Sequence, residues 1–511
     1  MTAQRLDPDD HETDTEHAKE TAMQPLDSTT VARTARPITV LQFGGGNFLR
    51  GFVDWMIQVS NDAGVTDAGV AVIHATDHPD PAFELLRGQD GLFHVYLEGI
   101  KDGAPVREIC RVECVQAVAG AHTEHDRYRE LYLGEELRLI VSNTTEAGIV
   151  YVDGDDLSAT PPVSFPAKIT ALLHDRYRHF GGAQDRGLAI VACELIEDNG
   201  STLRDFVLRH AAAADLGADF ITWVTEACSF YDTLVDRIVP GFPRDDIDRI
   251  QAELGFSDRL VVKGEYFHVW AIGGDERIRE VLPLDRAGLN VRFMDDIRPF
   301  RAQKVRVLNG AHTALSALGL ELGLESVGEA FADPEVRAYL EGLVAEEVLP
   351  TIPGDRDELR VFAAGILERF TNPYLHHRLG DIALNAVAKW RTRNLPVYVD
   401  RVHAGQTAPL TAFSLAAVLL LQAGVGHATG FTPKDDAETL ALLRSTFDAH
   451  DVEGWVRGAV SGLDLAAGLS PEEAELLISE VASFAAMIRT IGARPALQAV
   501  LAGATPAGQL R

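Results

Sequence analysis

Four short, β-branched and mostly apolar runs mark the first two hundred residues: Ile38–Phe43, Val70–Ala75, Leu137–Ser142 and Leu188–Cys193. None alternates apolar with polar, which fits strands of a parallel sheet covered on both faces. Between them Phe48–Val59, His122–Leu133 and Pro166–His179 carry the helical period. Repeated strand–helix alternation predicts a doubly wound α/β domain. After about residue 295 the strand-like runs vanish. Segments 300–321, 334–348, 355–369, 373–393, 408–422, 434–448 and 471–490 keep a 3.6-residue period, with Pro350, Pro353 and Gly354 as punctuation. They predict a mainly α-helical second domain. Leu415–Leu421, the longest apolar stretch, is too short to span a bilayer and reads as a buried helix.

Composition adds limits to this outline. The chain has 511 residues, with 76 Asp+Glu against 46 Lys+Arg and a formal net charge of −30. That charge repels nucleic acid and anionic membrane, so neither is expected as a partner. Residues 1–36 hold eight acids and four bases without an apolar stretch, and are expected as a disordered acidic tail. The domains are then expected at 37–292 and 293–511, with a cytoplasmic location. Four cysteines make no disulfide framework. Cys110 and Cys114 have no second ligand pair, so no metal is expected. Lysine is scarce, at seven residues beside 39 arginines, and each lysine therefore invites a question.

Chemistry concentrates in two places. Gly44-Gly45-Gly46-Asn47-Phe48-Leu49-Arg50 follows a strand and opens a helix, the context of a dinucleotide-binding turn. Gly44 suits the tight turn, and Gly46 lets backbone approach a pyrophosphate at the helix N-terminus. Leu49 stands where a third glycine is usual, and Arg50 offers a charge-assisted contact to phosphate instead. Asp77, just beyond the second strand, is placed to accept from ribose hydroxyls and repel a 2′-phosphate, favouring NAD; capping the next helix is the alternative. The other place is FRAQKVRVLNGAHTALSAL, residues 300–318. At ~100° per residue, Lys304 sits at 0°, His312 at about 80° and Asn309 at about 140°, on one broad side of a helix. A lysine among Leu308, Ala311 and Leu315 is expected to be desolvated toward a general acid/base pKa. Asn309 has an N–H for a developing alkoxide, and His312 can bond a substrate hydroxyl. A snorkelling lysine beside two polar helix positions is the plainer alternative.

The spacing Lys304-x4-Asn309-x2-His312 resembles the signature of the polyol-specific long-chain dehydrogenases/reductases, the mannitol dehydrogenase family. Collinear blocks at 42–55, 89–99, 141–149, 193–200, 233–240, 304–313 and 369–393 extend the resemblance from Pro37 onward. It implies a Rossmann-like N-terminal domain, a helical C-terminal domain, a nicotinamide cofactor and no metal. It also implies roles. Lys304 resembles the general acid/base, Asn199 and Asn309 an oxyanion-stabilising pair, and His312, Asp236 and Lys389 substrate contacts. Gly44, Gly46, Asn47, Phe48 and Arg50 fall on the cofactor loop. Asn143 and Thr145 follow the next strand toward the cofactor, and Glu146 lies toward the substrate. For Asp236 an ion pair with Arg237 or a helix-surface charge is the alternative, and for Lys389 a solvated lysine. Two departures matter. Asp381 stands where mannitol dehydrogenases carry an arginine, and Arg301 where they carry an acid three residues before the lysine. Both fit a substrate with a carboxylate, for which His376, His377, Arg301, Arg391 and Arg393 offer positive charge. The resemblance is nearest to hexuronate-acting members and implies NAD-dependent, reversible reduction of D-tagaturonate to D-altronate. The partner is then a small sugar acid, with oligomeric state left open. Fructuronate-reducing and polyol-oxidising members are the neighbouring alternatives. An NAD-binding regulatory protein without chemistry and a sugar-binding module are the distant ones.

Overall fold

The structure, a computed structural model, describes residues 23–101, 103–144, 148–374, 377–428 and 430–503. Its centre is an eight-stranded sheet. The strands are β1 (Ile38–Phe43), β2 (Gly69–His74), β3 (Val115–Gly120), β4 (Leu139–Ser142), β5 (Ala189–Ala192), β6 (Ser229–Asp236), β7 (Val269–Gly273) and β8 (Val291–Met294). Their order across the sheet is β8-β7-β6-β5-β4-β1-β2-β3. The stretch from β3 to β6 is parallel throughout, in the 3-2-1-4-5-6 order of dinucleotide-binding domains. β7 joins antiparallel to β6, and β8 runs parallel to β7. Helices cover both faces, so β1, β2, β4 and β5 are buried almost end to end. This is why they read as apolar runs without alternation. A side sheet pairs Phe93–Lys101 with Ala104–Val112 and Val262–Glu265.

After Met294 the described residues form helices and loops, with one isolated bridge between Ser326 and Arg378. The helix Pro409–Ala423 lies at the centre of this half, and every residue from Leu410 to Ala423 is buried. It carries no side-chain cap of its own. Glu347, from a different helix, accepts from the N–H groups of Leu410 and Thr411 and from the Thr411 hydroxyl, at 2.7–2.8 Å. A carboxylate at a helix N-terminus also meets the positive end of the macrodipole. Among the described residues no helix is long and apolar enough to cross a membrane, and all four cysteines are buried free thiols.

Three expectations change. The tail was expected to reach residue 36, but residues 24–25 pair with Phe256–Ser257, and Leu26 and Val31 are buried with Leu92; two apolar side chains are enough to anchor the segment. Residues 1–22 lie outside the described residues. The expected helix 373–393 is two helices, Leu379–Ile382 and Ala386–Arg393, broken where Asn385 takes a left-handed φ of 53°. The helix 298–321 is interrupted by a π turn over Val305–Asn309.

Replacing Glu347 by alanine leaves three buried donors without their acceptor, and is expected to destabilise by about 2–4 kcal/mol. Chemical denaturation followed by tryptophan fluorescence measures this loss.

Candidate active site

The π turn decides the geometry around Lys304. Gly310 N–H donates to the Val305 carbonyl, five residues back instead of four. A turn of this width brings residues five apart onto nearly the same face, so Lys304 and Asn309 are closer in direction than a regular helix allows. The Lys304 side chain is 14% exposed. It donates to the Val235 carbonyl at 3.3 Å and faces the Asp236 carboxylate at 3.7 Å. Burial pulls its pKa below the ordinary lysine value, and Arg369 adds to the effect; Asp236 and Glu265 oppose it. The Asn309 side-chain amide is half-buried and has no hydrogen-bond partner among the described residues, which leaves its N–H groups uncommitted.

Arg369 organises the surrounding charges, and it went unremarked in the sequence. It donates twice to Glu265, at 2.6 and 3.1 Å, and twice to Asp236, at 3.2 and 3.3 Å. Its guanidinium lies over the Phe267 ring at 4.0 Å. The partners are 133 and 104 residues away in sequence, which hides the pairing from any local pattern. Asp236 therefore pairs with Arg369 and Lys304, and the alternative pairing with Arg237 is excluded. Arg237 turns away, donating to the Gly51 carbonyl and stacking on Trp55.

His312 stacks on Phe370 at 4.6 Å and meets His377 edge-on at 5.1 Å. Burial, reinforced by His377, Arg369, Arg393 and Lys304, holds the His312 imidazole well below the ordinary histidine value, so the ring is neutral. His312 and His377 line one small cavity with Arg369 and Asn372. Lys389 donates to the Ile382 carbonyl at 2.9 Å. Arg301 is held by Asp198 at 3.2 Å, so its charge is already answered.

Asn199 is fully buried. Its amide nitrogen donates to the carbonyls of Ala192, Glu194 and Thr233, while its oxygen accepts from Gly200 and Thr233 N–H. It bolts β5 to β6, and an oxyanion role requires one of these donors to be released. Glu194 makes a similar tie between β4 and β5 by accepting from Ser142 and from the Thr144 N–H and hydroxyl.

The cofactor loop lies at the carboxyl end of the sheet. Gly44 takes φ +120°, where a Cβ would meet Leu49 and the Asn143 carbonyl. A Cβ on Gly46 would meet nothing within 4 Å, so the helix N-terminus at Asn47 is open to a ligand. Phe48 stacks on Phe52 at 5.0 Å, and the Asn143 N–H donates to the Phe43 carbonyl. Asp77 stands exposed beyond β2, and Asp80 caps the following helix, which removes the capping alternative for Asp77. These features fit a dinucleotide. Arg50 does not act as expected. It is 3% exposed and donates to the Gly45 and Leu260 carbonyls and to Asn47 Oδ1, so it braces the loop from beneath and does not reach outward. Thr145, Glu146 and His376 lie outside the described residues.

Residues 38–285 match the mannitol dehydrogenase Rossmann domain, and residues 296–459 match the mannitol dehydrogenase C-terminal domain. The chain belongs to the mannitol dehydrogenase family. It is 41% identical to the altronate oxidoreductase of Klebsiella pneumoniae (strain 342) over 418 residues, 81% of this chain and 86% of that protein. It is also 41% identical to the altronate oxidoreductase of Cronobacter sakazakii over 449 residues, 84% of this chain and 92% of that protein. Its fold is that of a D-sorbitol dehydrogenase (TM-score 0.78, 20% identity, 93% of this chain and all of that one). A mannitol 2-dehydrogenase of Pseudomonas fluorescens, solved with NAD and D-mannitol, shares it too (TM-score 0.67, 21% identity, 94% and 96%). The protein is thus an oxidoreductase acting on CH–OH groups.

In Arg369→Met, Glu265 is left buried without its counter-charge, and a loss of about 3–5 kcal/mol is expected at pH 8. Burial already raises the Glu265 pKa, and Arg369 is what opposes the rise. Without Arg369 the folded carboxyl holds its proton to higher pH than the unfolded one, so stability falls as pH rises between those two values. The loss is therefore expected to be smaller at pH 5 than at pH 8 in paired denaturation curves.

Proposed function

We propose that this chain is an NAD-dependent enzyme that reduces D-tagaturonate to D-altronate and runs the reverse oxidation. One observation carries the mechanism: the partly desolvated Lys304 ammonium and the uncommitted Asn309 amide share a face beside Asp236. The substrate assignment is supported by relatives at about 41% identity that bear the name altronate oxidoreductase.

The open N-terminus at Gly46 and Asn47 would receive the pyrophosphate, with Gly44 shaping the turn. Asp77 would accept from the adenosine ribose and disfavour a 2′-phosphate, which favours NAD over NADP. When bound, the nicotinamide supplies the hydride in reduction and accepts it in oxidation. Protonated Lys304 donates its proton to the substrate oxygen as negative charge grows there. Asn309 donates an N–H to the same oxygen, a contact that strengthens toward the transition state. In oxidation neutral Lys304 removes the hydroxyl proton. Neutral His312, at the edge of the same cluster, is placed to bond a neighbouring hydroxyl.

Lys304→Ala is expected to lower kcat by about 10²–10⁴-fold, while NADH binding, followed by tryptophan-to-NADH energy transfer, persists. Near-normal turnover would sink the assignment, and a panel of tagaturonate, fructuronate and mannitol fixes the substrate. The oxidation rate is expected to rise with pH through a limb below the ordinary lysine value of 10.5. Because the Asp236 charge raises the Lys304 pKa, Asp236→Asn is expected to move that limb to lower pH.

A further inference from the structure

The positive charges around Asn309 and His312 differ in how they are answered. Arg369 is clamped by Asp236 and Glu265, Lys304 faces Asp236, and Arg301 is held by Asp198. Arg391, on the outer side of its helix, is exposed and donates to the Leu463 carbonyl. His312 and His377 are both pushed toward the neutral form by burial.

Arg393 differs from Arg369, Lys304 and Arg301. Its guanidinium is half-buried and donates only to neutral oxygens, the Asn309 carbonyl at 3.4 Å and the Thr313 hydroxyl at 3.1 Å. Among the described residues no carboxylate reaches it within ion-pair distance. Lys389 lies one turn earlier on the same helix, Ala386–Arg393. It too donates to a neutral carbonyl, and Asp435 is the acid that bears on it. Two like charges at i and i+4 repel, and desolvating a guanidinium without a counter-ion is unfavourable. In a chain with 76 acids and 46 bases a carboxylate partner is easily supplied. Here none is, at the helix turn that carries Asn309.

We propose that Arg393, with Lys389 beside it, receives the carboxylate of the substrate and so separates sugar acids from neutral ketoses. This rests on the proposed function above. A sugar acid whose reacting oxygen lies at Lys304 and Asn309 then extends along the helix Ala386–Arg393. Its carboxylate supplies the missing counter-charge, and the planar guanidinium can donate to both carboxylate oxygens.

The test measures kcat/KM for D-tagaturonate and for D-tagatose, the neutral ketose of matching configuration, in wild type, Arg393→Gln and Arg393→Lys. Wild type is expected to prefer tagaturonate strongly. In Arg393→Gln the ratio of the two values is expected to fall about 10²–10³-fold, mostly through the acid. Arg393→Lys is expected to recover part of the ratio, because charge returns without the fork. Equal losses on both substrates, or an unchanged ratio, would overturn the carboxylate role and leave the proposed function standing. A wild type that prefers tagatose would overturn both, and it would show before any variant is made.

Discussion

One buried guanidinium joins three parts of the chain. Arg369 ends a helix of the C-terminal half, Glu265 ends a strand of the side sheet, and Asp236 ends β6. Glu265 is 1% exposed and also accepts from the Ile238 N–H, so the strap after β6 is fixed by the same carboxylate. With Lys304 included, two positive and two negative charges share the site. None of them is affordable alone at this depth, since each desolvated charge needs its partner. The position of the Lys304 amine relative to the cofactor loop therefore depends on contacts made by residues that need not touch a substrate.

The fold was largely legible because its main signal is local. β1, β2, β4 and β5 are buried on both faces, and continuous apolarity is what such strands require. β3, β6, β7 and β8 were not recognised; in β6 five of the eight residues are only partly buried, and it carries Asp232 and Asp236 for other purposes. The long helices appeared with ends near those observed, because a helix packed on one face must repeat its apolar positions. The break at Asn385 did not appear, since an asparagine with positive φ leaves no trace in periodicity.

The site was legible only in part. Lys304, Asn309 and His312 lie within nine residues, so spacing finds them. Arg369 and Glu265 are made functional by partners more than a hundred residues away, and no window contains that fact. Arg50 misled for the opposite reason. Its position beside the glycines suggested phosphate, yet its side chain folds back under the loop to the Gly45 and Leu260 carbonyls. Asn199 shows the same bias: an amide available in sequence is saturated by backbone in the fold.

The π turn at Val305–Asn309 has a bearing on how the chain tolerates change in length. A helix with one wide turn carries a residue more than a regular helix spanning the same distance. Deleting any one residue between Lys304 and Gly310 would let the segment relax to ordinary winding, at little cost to the helix itself. Because the wide turn already absorbs that residue, the same deletion would leave Lys304 and His312 in nearly their present relative direction, whereas one more residue inserted between them would turn Lys304 by about 100°. Substitutions in this segment act on individual side chains, but a single insertion would swing the amine away from Asp236. The register of this helix is therefore as much a part of the site as the residues that it carries.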